Sequence, residues 1–100
     1  MAEGPETPEL RRLRRRIDAL DRKIVALLNE RAELARAAGR EKTAIGRRAI
    51  RDVEREREVL LRVTMANTGP TPQADLLAVY RRLMAVTRAL ETRDRKGSNS

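Results

Sequence analysis

LRRLRRRIDALDRKIVALLNERAELARAAGREK, residues 10–42, is the stretch from which the architecture follows. Its apolar side chains fall at Leu10, Leu13, Ile17, Leu20, Ile24, Leu27, Leu34 and Ala38. The steps alternate between three and four, which is a heptad seam on a long helix. Between Leu27 and Leu34 the seam lands on Arg31. A guanidinium on an apolar line is unfavourable unless an anion meets it. Two readings are open. Arg31 snorkels outward or pairs with a partner carboxylate, or it belongs to a buried anion-binding site on a helical scaffold.

The same seam bears on assembly. A helix from Pro8 to Ala38 is roughly 46 Å long at about 1.5 Å per residue. A compact chain of this size has a radius of gyration near ~13 Å. The remaining residues cannot cover such a stripe, so a second chain is expected to do so. A two-fold homodimer is the simplest partner.

Outward from this helix, the chain continues in the same style. Thr7 is placed to cap helix 1, with Pro8 at its first position and Glu9 in its first turn. Gly39 weakens or ends the helix, although Arg40, Glu41 and Lys42 could add a turn. Residues 43–51 read as a loop containing Gly46. Asp52 is the expected N-cap of helix 2, which runs to about Ala66 with Val53, Leu60 and Val63 on its apolar line. Glu56 interrupts that line, and Arg55 lies beside it. Asn67-Thr68-Gly69-Pro70 is a helix stop and turn. Thr71 and Pro72 open helix 3, whose stripe is Leu76, Tyr80, Leu83 and Leu90, interrupted at Thr87 and followed by Glu91. The expected fold is all-α: three helices per chain, long, medium and long, in one domain over residues 8–92. Residues 1–7 are expected to be disordered, and 93–100 to be a frayed polar tail.

Composition narrows the chemistry. Cysteine and histidine are absent, and Tyr80 is the only aromatic residue. Thiolate chemistry, disulfides and the commonest general base and metal ligand are therefore excluded. Lysine and arginine number 23 against 15 acidic residues, a net charge of +8 that favours anionic partners. The preference for arginine suits planar, bidentate contact with carboxylate or phosphate, though a GC-rich genome would produce the same bias. Around Leu13 the arginines 11, 12, 14, 15 and 16 form a mostly solvated basic face, with Arg14 flanking the seam. The N-terminal MAEGPETPEL lacks the pattern of a signal peptide. No apolar run approaches the roughly 20 residues of a membrane span. The expectation is a soluble cytoplasmic protein.

All three helices break their apolar pattern with a polar residue: Arg31, then Glu56, then Thr87 and Glu91. Inward charges need one another or a ligand. A pocket of several cations and a few hydrogen-bonding side chains suits a small dicarboxylate. Without a dedicated nucleophile or base, positioning and electrostatic stabilisation remain, which suffice for a unimolecular rearrangement.

The run from Leu13 to Lys42, followed by IRDVERER, resembles the all-helical chorismate mutases. The resemblance covers about residues 10–92. It rests on the order and spacing of I-D-x-L-D-x-x-I-x-x-L-L-x-x-R, G-x-x-K and D-x-x-R-E, with a helix after them. It implies an intertwined helical homodimer whose sites are shared between chains, and the Claisen rearrangement of chorismate to prephenate. It implies no cofactor and no metal, and neither a nucleic acid nor a membrane as partner. By the same resemblance Arg31 binds one substrate carboxylate, and Arg14 reaches into the partner's site to bind the other. Lys42 contacts the ether oxygen, where negative charge grows. Asp52 and Glu56 recognise the ring hydroxyl, ordered with the help of Arg55. Thr87 stands where a serine is common and donates to a carboxylate. Glu91 stands where many members have glutamine as second donor to the ether oxygen, which touches the pH range of activity. Related enzymes on this scaffold eliminate pyruvate from isochorismate or rearrange 4-amino-4-deoxychorismate. The Lys42 and Asp52-x-x-Arg55-Glu56 set leans toward the ordinary mutase. A basic helical interaction or nucleic-acid-binding module would show steep salt dependence, but it leaves the interrupted stripes unexplained.

Overall fold

The computed structural model describes residues 4–48 and 50–98. It contains three helices: α1 over Pro8–Ala44, α2 over Val53–Ala66 and α3 over Gln73–Ser98. No strand occurs among the described residues. The chain divides inside α1 into one unit ending at Glu33 and a second beginning at Leu34.

In the first unit α1 opens as its cap residues require. The Thr7 hydroxyl accepts the Leu10 backbone N–H at 3.0 Å, and the Thr7 carbonyl accepts that of Arg11 at 3.0 Å. Pro8 lacks an N–H that would otherwise go unsatisfied, and Glu9 faces the positive end of the helix dipole. Gly4 to Thr7, part of the segment expected to be disordered, are described, and Thr7 holds these contacts; residues 1–3 lie outside the described residues. The heptad seam is bare. Leu10, Leu13, Ile17, Leu20, Ile24 and Leu27 are all exposed, Leu10 by 38% and Leu27 by 62%.

The second unit holds the end of α1 together with α2 and α3. Helix α1 does not stop at Gly39. It runs to Ala44 and is terminated by Gly46, the one described residue with positive φ, at +84°. The Arg47 N–H returns to the Lys42 carbonyl at 2.9 Å and the Gly46 N–H to Thr43 at 3.0 Å. That pair of bonds is a Schellman ending, which needs the left-handed conformation glycine adopts without strain. Gly39 is instead a buried helical residue. A Cβ there would lie 2.9 Å from Glu91 Cγ, so a close side-chain approach, not a chain ending, calls for glycine.

Helix α2 is capped by Asp52, whose carboxylate accepts the Arg55 N–H at 3.0 Å. Asn67 closes it and shapes the turn that follows. Its N–H donates to Val63 at 3.1 Å, and its side-chain amide donates to the Thr71 carbonyl and to Gln73 Oε1, each at 3.0 Å. Helices α2 and α3 pack together. Among the described residues Met84 is the buried large apolar side chain, and Leu60, Val63, Leu76, Tyr80, Leu83 and Leu90 are half-buried. Val53, at the start of the expected α2 stripe, stays exposed. Helix α3 continues to Ser98, past the point near Arg93 where the polar sequence suggests fraying. Its last turns are tied down: Arg36 makes a bidentate pair with Asp94, both bonds 2.9 Å, and Arg95 donates to the Arg47 and Arg48 carbonyls. Residues 99 and 100 lie outside the described residues.

Candidate active site

Lys42 and Glu91 form the centre of the site within the second unit. Lys42 comes from the last turn of α1 and Glu91 from α3. The Lys42 ammonium donates to both Glu91 carboxylate oxygens, at 3.3 and 3.4 Å, and to the Ile50 carbonyl at 3.4 Å. Both side chains are largely withdrawn from water, at 17% and 8% exposure. A lysine so placed is a fixed positive charge in a poorly hydrated setting, where its field acts more strongly than in water. Gly39, one turn back on α1, leaves the space that the Glu91 side chain occupies.

Glu56 is the second inward carboxylate. It bridges α2 to α3 by accepting from the Arg88 guanidinium, and it accepts from Arg51 Nε at 3.3 Å. Asp52, one turn earlier, accepts the Arg55 N–H and, at 3.2 Å, the Arg47 guanidinium. The backbone N–H of Arg55 is the main cause that holds the Asp52 carboxyl below the ordinary carboxylate range, and Arg47 and Lys42 add to it. The side chain of Arg55 turns away to Glu58 at 3.3 Å, so its backbone rather than its guanidinium meets the acidic pair. Thr87 is half-buried, four residues before Glu91 and thus on the same face of α3; its hydroxyl donates to the Leu83 carbonyl at 3.0 Å.

Arg14 and Arg31 belong to the first unit. Arg14 is exposed and pairs with Glu6. Arg31, the residue that breaks the apolar rule of the seam, is half-buried. The second unit therefore brings Lys42, Glu91, Asp52, Glu56 and Thr87 onto neighbouring helix faces and turns the Arg55 guanidinium outward. Arg88 and Arg51, which hold Glu56, were not legible in the sequence. With 23 basic residues in the chain, no local pattern marks the one that a helix pairing brings to Glu56. Among the described residues no cluster of acidic groups is arranged to hold a metal ion, and no helix is long and apolar enough to cross a membrane.

Residues 13–92 match the sequence model of chorismate mutase type II. The chain belongs to that family. Among chorismate mutase relatives, the bifunctional chorismate mutase/prephenate dehydratase of Stutzerimonas stutzeri is 38% identical over 90 residues, which is 86% of this chain and 25% of that protein. The corresponding bifunctional protein of Aquifex aeolicus is 38% identical over 87 residues, 83% of this chain and 24% of that protein. The chain thus spans about a quarter of the length of these relatives. The structure of chorismate mutase (form II) from Thermus thermophilus superposes with a TM-score of 0.79 at 32% identity, covering 85% of this chain and 96% of that one. The helical architecture read from the heptad seam is thus that of a chorismate mutase fold.

Proposed function

We propose that this chain is a chorismate mutase that rearranges chorismate to prephenate. The observation that carries the reading is the withdrawn Lys42–Glu91 pair at the meeting of α1 and α3, in a chain of the chorismate mutase type II family. The reaction is unimolecular. The ether C–O bond breaks as a new C–C bond forms within the same molecule, so atoms balance without a co-reactant. The protein has two tasks: to hold the reactive conformer, and to stabilise charge growing on the ether oxygen. Lys42 is a cation already fixed in place for the second task. Glu91, when protonated, is the second donor to that oxygen. Asp52 and Glu56 receive the ring hydroxyl, Glu56 being held by Arg88 and Arg51. The Thr87 hydroxyl and Arg31 bind carboxylate.

The functional unit is a homodimer, and Arg14 completes the partner's site. The support is the bare seam of α1, since six exposed large aliphatics in heptad register form a stripe that monomers rarely leave in water. The enzyme works in the cytoplasm on a small dicarboxylate and binds neither nucleic acid nor membrane.

The test is spectrophotometric. Purified protein is given chorismate, isochorismate or 4-amino-4-deoxychorismate, and loss of substrate and formation of prephenate are followed. Chorismate should be turned over in preference to the other two. Lys42→Ala should lower kcat/KM by about 10² to 10³ or more, the range for removing one donor aimed at developing charge. Absence of chorismate turnover, or near-normal turnover by Lys42→Ala, overturns the assignment.

A further inference from the structure

Five arginines face one cavity in the second unit. Arg36, Arg40, Arg47, Arg48 and Arg95 line a space of about 600 Å³ between the ends of α1 and α3 and the turn that follows α1. The acidic groups on its wall are Glu91 and Asp94, and both are already engaged, with Lys42 and Arg36 respectively. Arg47 is paired with Asp52. The side chains of Arg40 and Arg48 make no ion pair or hydrogen bond among the described residues. Arg95 spends its terminal nitrogens on the Arg48 and Arg47 carbonyls, which ties the end of α3 to the arginine-bearing turn. Its Nε–H is buried with no acceptor.

Guanidinium groups repel one another, and gathering them is unfavourable unless an anion offsets the charge. Here the turn is actively held so that they gather. The volume lies within the about 300–1,000 Å³ of ordinary small-molecule sites. Planar guanidinium forks match the oxygens of phosphate and carboxylate. Of the residues assigned to chorismate, only Glu91 lines this space. We propose that the cavity binds a small polyanion through the guanidinium groups of Arg40, Arg48 and Arg95. Phosphate and polycarboxylate ligands share that chemistry, and the experiment separates them.

Pyrophosphate and citrate are titrated calorimetrically into the full chain in metal-free buffer at about 0.15 M salt, where weak surface attraction is screened. The same titrations are run on Arg40→Gln/Arg48→Gln and on Arg31→Ala. Both arginines of the double variant are exposed, so its fold and its turnover of chorismate should match wild type. Saturable binding of either probe is expected. The double variant should weaken it by about tenfold or more, the scale of one or two charge-assisted hydrogen bonds, and Arg31→Ala should leave it intact. Tighter pyrophosphate binding points to a phosphate-bearing ligand, and tighter citrate binding to a polycarboxylate. No saturable binding of either probe overturns the proposal. So does equal affinity in the double variant, or loss of binding in Arg31→Ala, which would put the anion where substrate carboxylate binds. Binding is read without turnover, so the result stands apart from the mutase assay.

Discussion

Replacing Gly39 by alanine sets two opposed effects against each other. Alanine in a helix interior is favoured over glycine by about 1 kcal/mol. Here the new methyl would sit 2.9 Å from Glu91 Cγ and 3.0 Å from Cδ. Ordinary carbon–carbon contact begins near ~3.5 Å, so Glu91 must withdraw by roughly 0.6 Å. Its bonds to Lys42 are already 3.3 and 3.4 Å long. A withdrawal of that size away from Lys42 would carry them to about 4 Å, outside hydrogen-bonding range. Loosening a pair so removed from water costs more than the helix gains, since fully breaking a buried pair costs about 3–5 kcal/mol. We expect Gly39→Ala to be net destabilised by about 1–2 kcal/mol, a fall in Tm of roughly 4–16 °C for a domain of this size. A site side chain displaced by an appreciable fraction of an ångström should also lower kcat/KM, by up to about 10²-fold. Thermal melts at fixed protein concentration and initial rates on chorismate read the two effects. The decisive comparison places Gly39→Ala in a Glu91→Ala background. With the obstructing side chain gone, alanine should stabilise by about 1 kcal/mol. A Gly39→Ala protein as stable and active as wild type, or an equal effect in both backgrounds, would refute the reasoning.

Three further outcomes are expected. An amide can donate a hydrogen bond, whereas a carboxylate that accepts from Lys42 cannot; Glu91→Gln should therefore turn over chorismate faster than wild type at neutral pH, and equal rates would remove Glu91 from the reaction. Mixing Arg14→Ala and Arg31→Ala chains should restore part of the activity, because each mixed dimer has one site free of both lesions; no recovery despite verified subunit exchange would refute shared sites. Asp52→Ala should lower Tm by removing the α2 cap, while Asp52→Asn keeps most of it. Because its folded-state pKa is depressed, the contribution of ionised Asp52 is present above the ordinary carboxylate value of about 3.9 and lost as pH falls through the lowered one. The Tm difference between wild type and Asp52→Asn should shrink over that acid window, and a difference constant from pH 7 to pH 2 would contradict the cap assignment.

What the sequence determined by itself is what depends on neighbours along the chain. The heptad spacing from Leu10 to Ala38 sets a long helix with an uncovered stripe, because side chains three and four apart share a helix face. Thr7 and Asp52 announce helix starts, since a short side-chain acceptor satisfies N–H groups that the helix cannot. Arg31, Glu56, Thr87 and Glu91 betray themselves as inward polar residues by interrupting apolar stripes, and each is buried or half-buried in the structure. Tertiary structure decided what depends on residues far apart in the chain. Gly39 reads locally as a helix ending, yet it lies inside α1 because Glu91, 52 positions later, needs the space a Cβ would fill. The true ending at Gly46 shows itself in its positive φ and in the bonds that return to Lys42 and Thr43. Arg88 is one arginine among many until the packing of α2 on α3 brings it to Glu56. The polar end of α3 stays helical because Arg36 grips Asp94 and Arg95 grips the turn after α1. Charge alone does not encode such pairings. Any arginine can satisfy any carboxylate, and only the packing of the helices selects which ones meet.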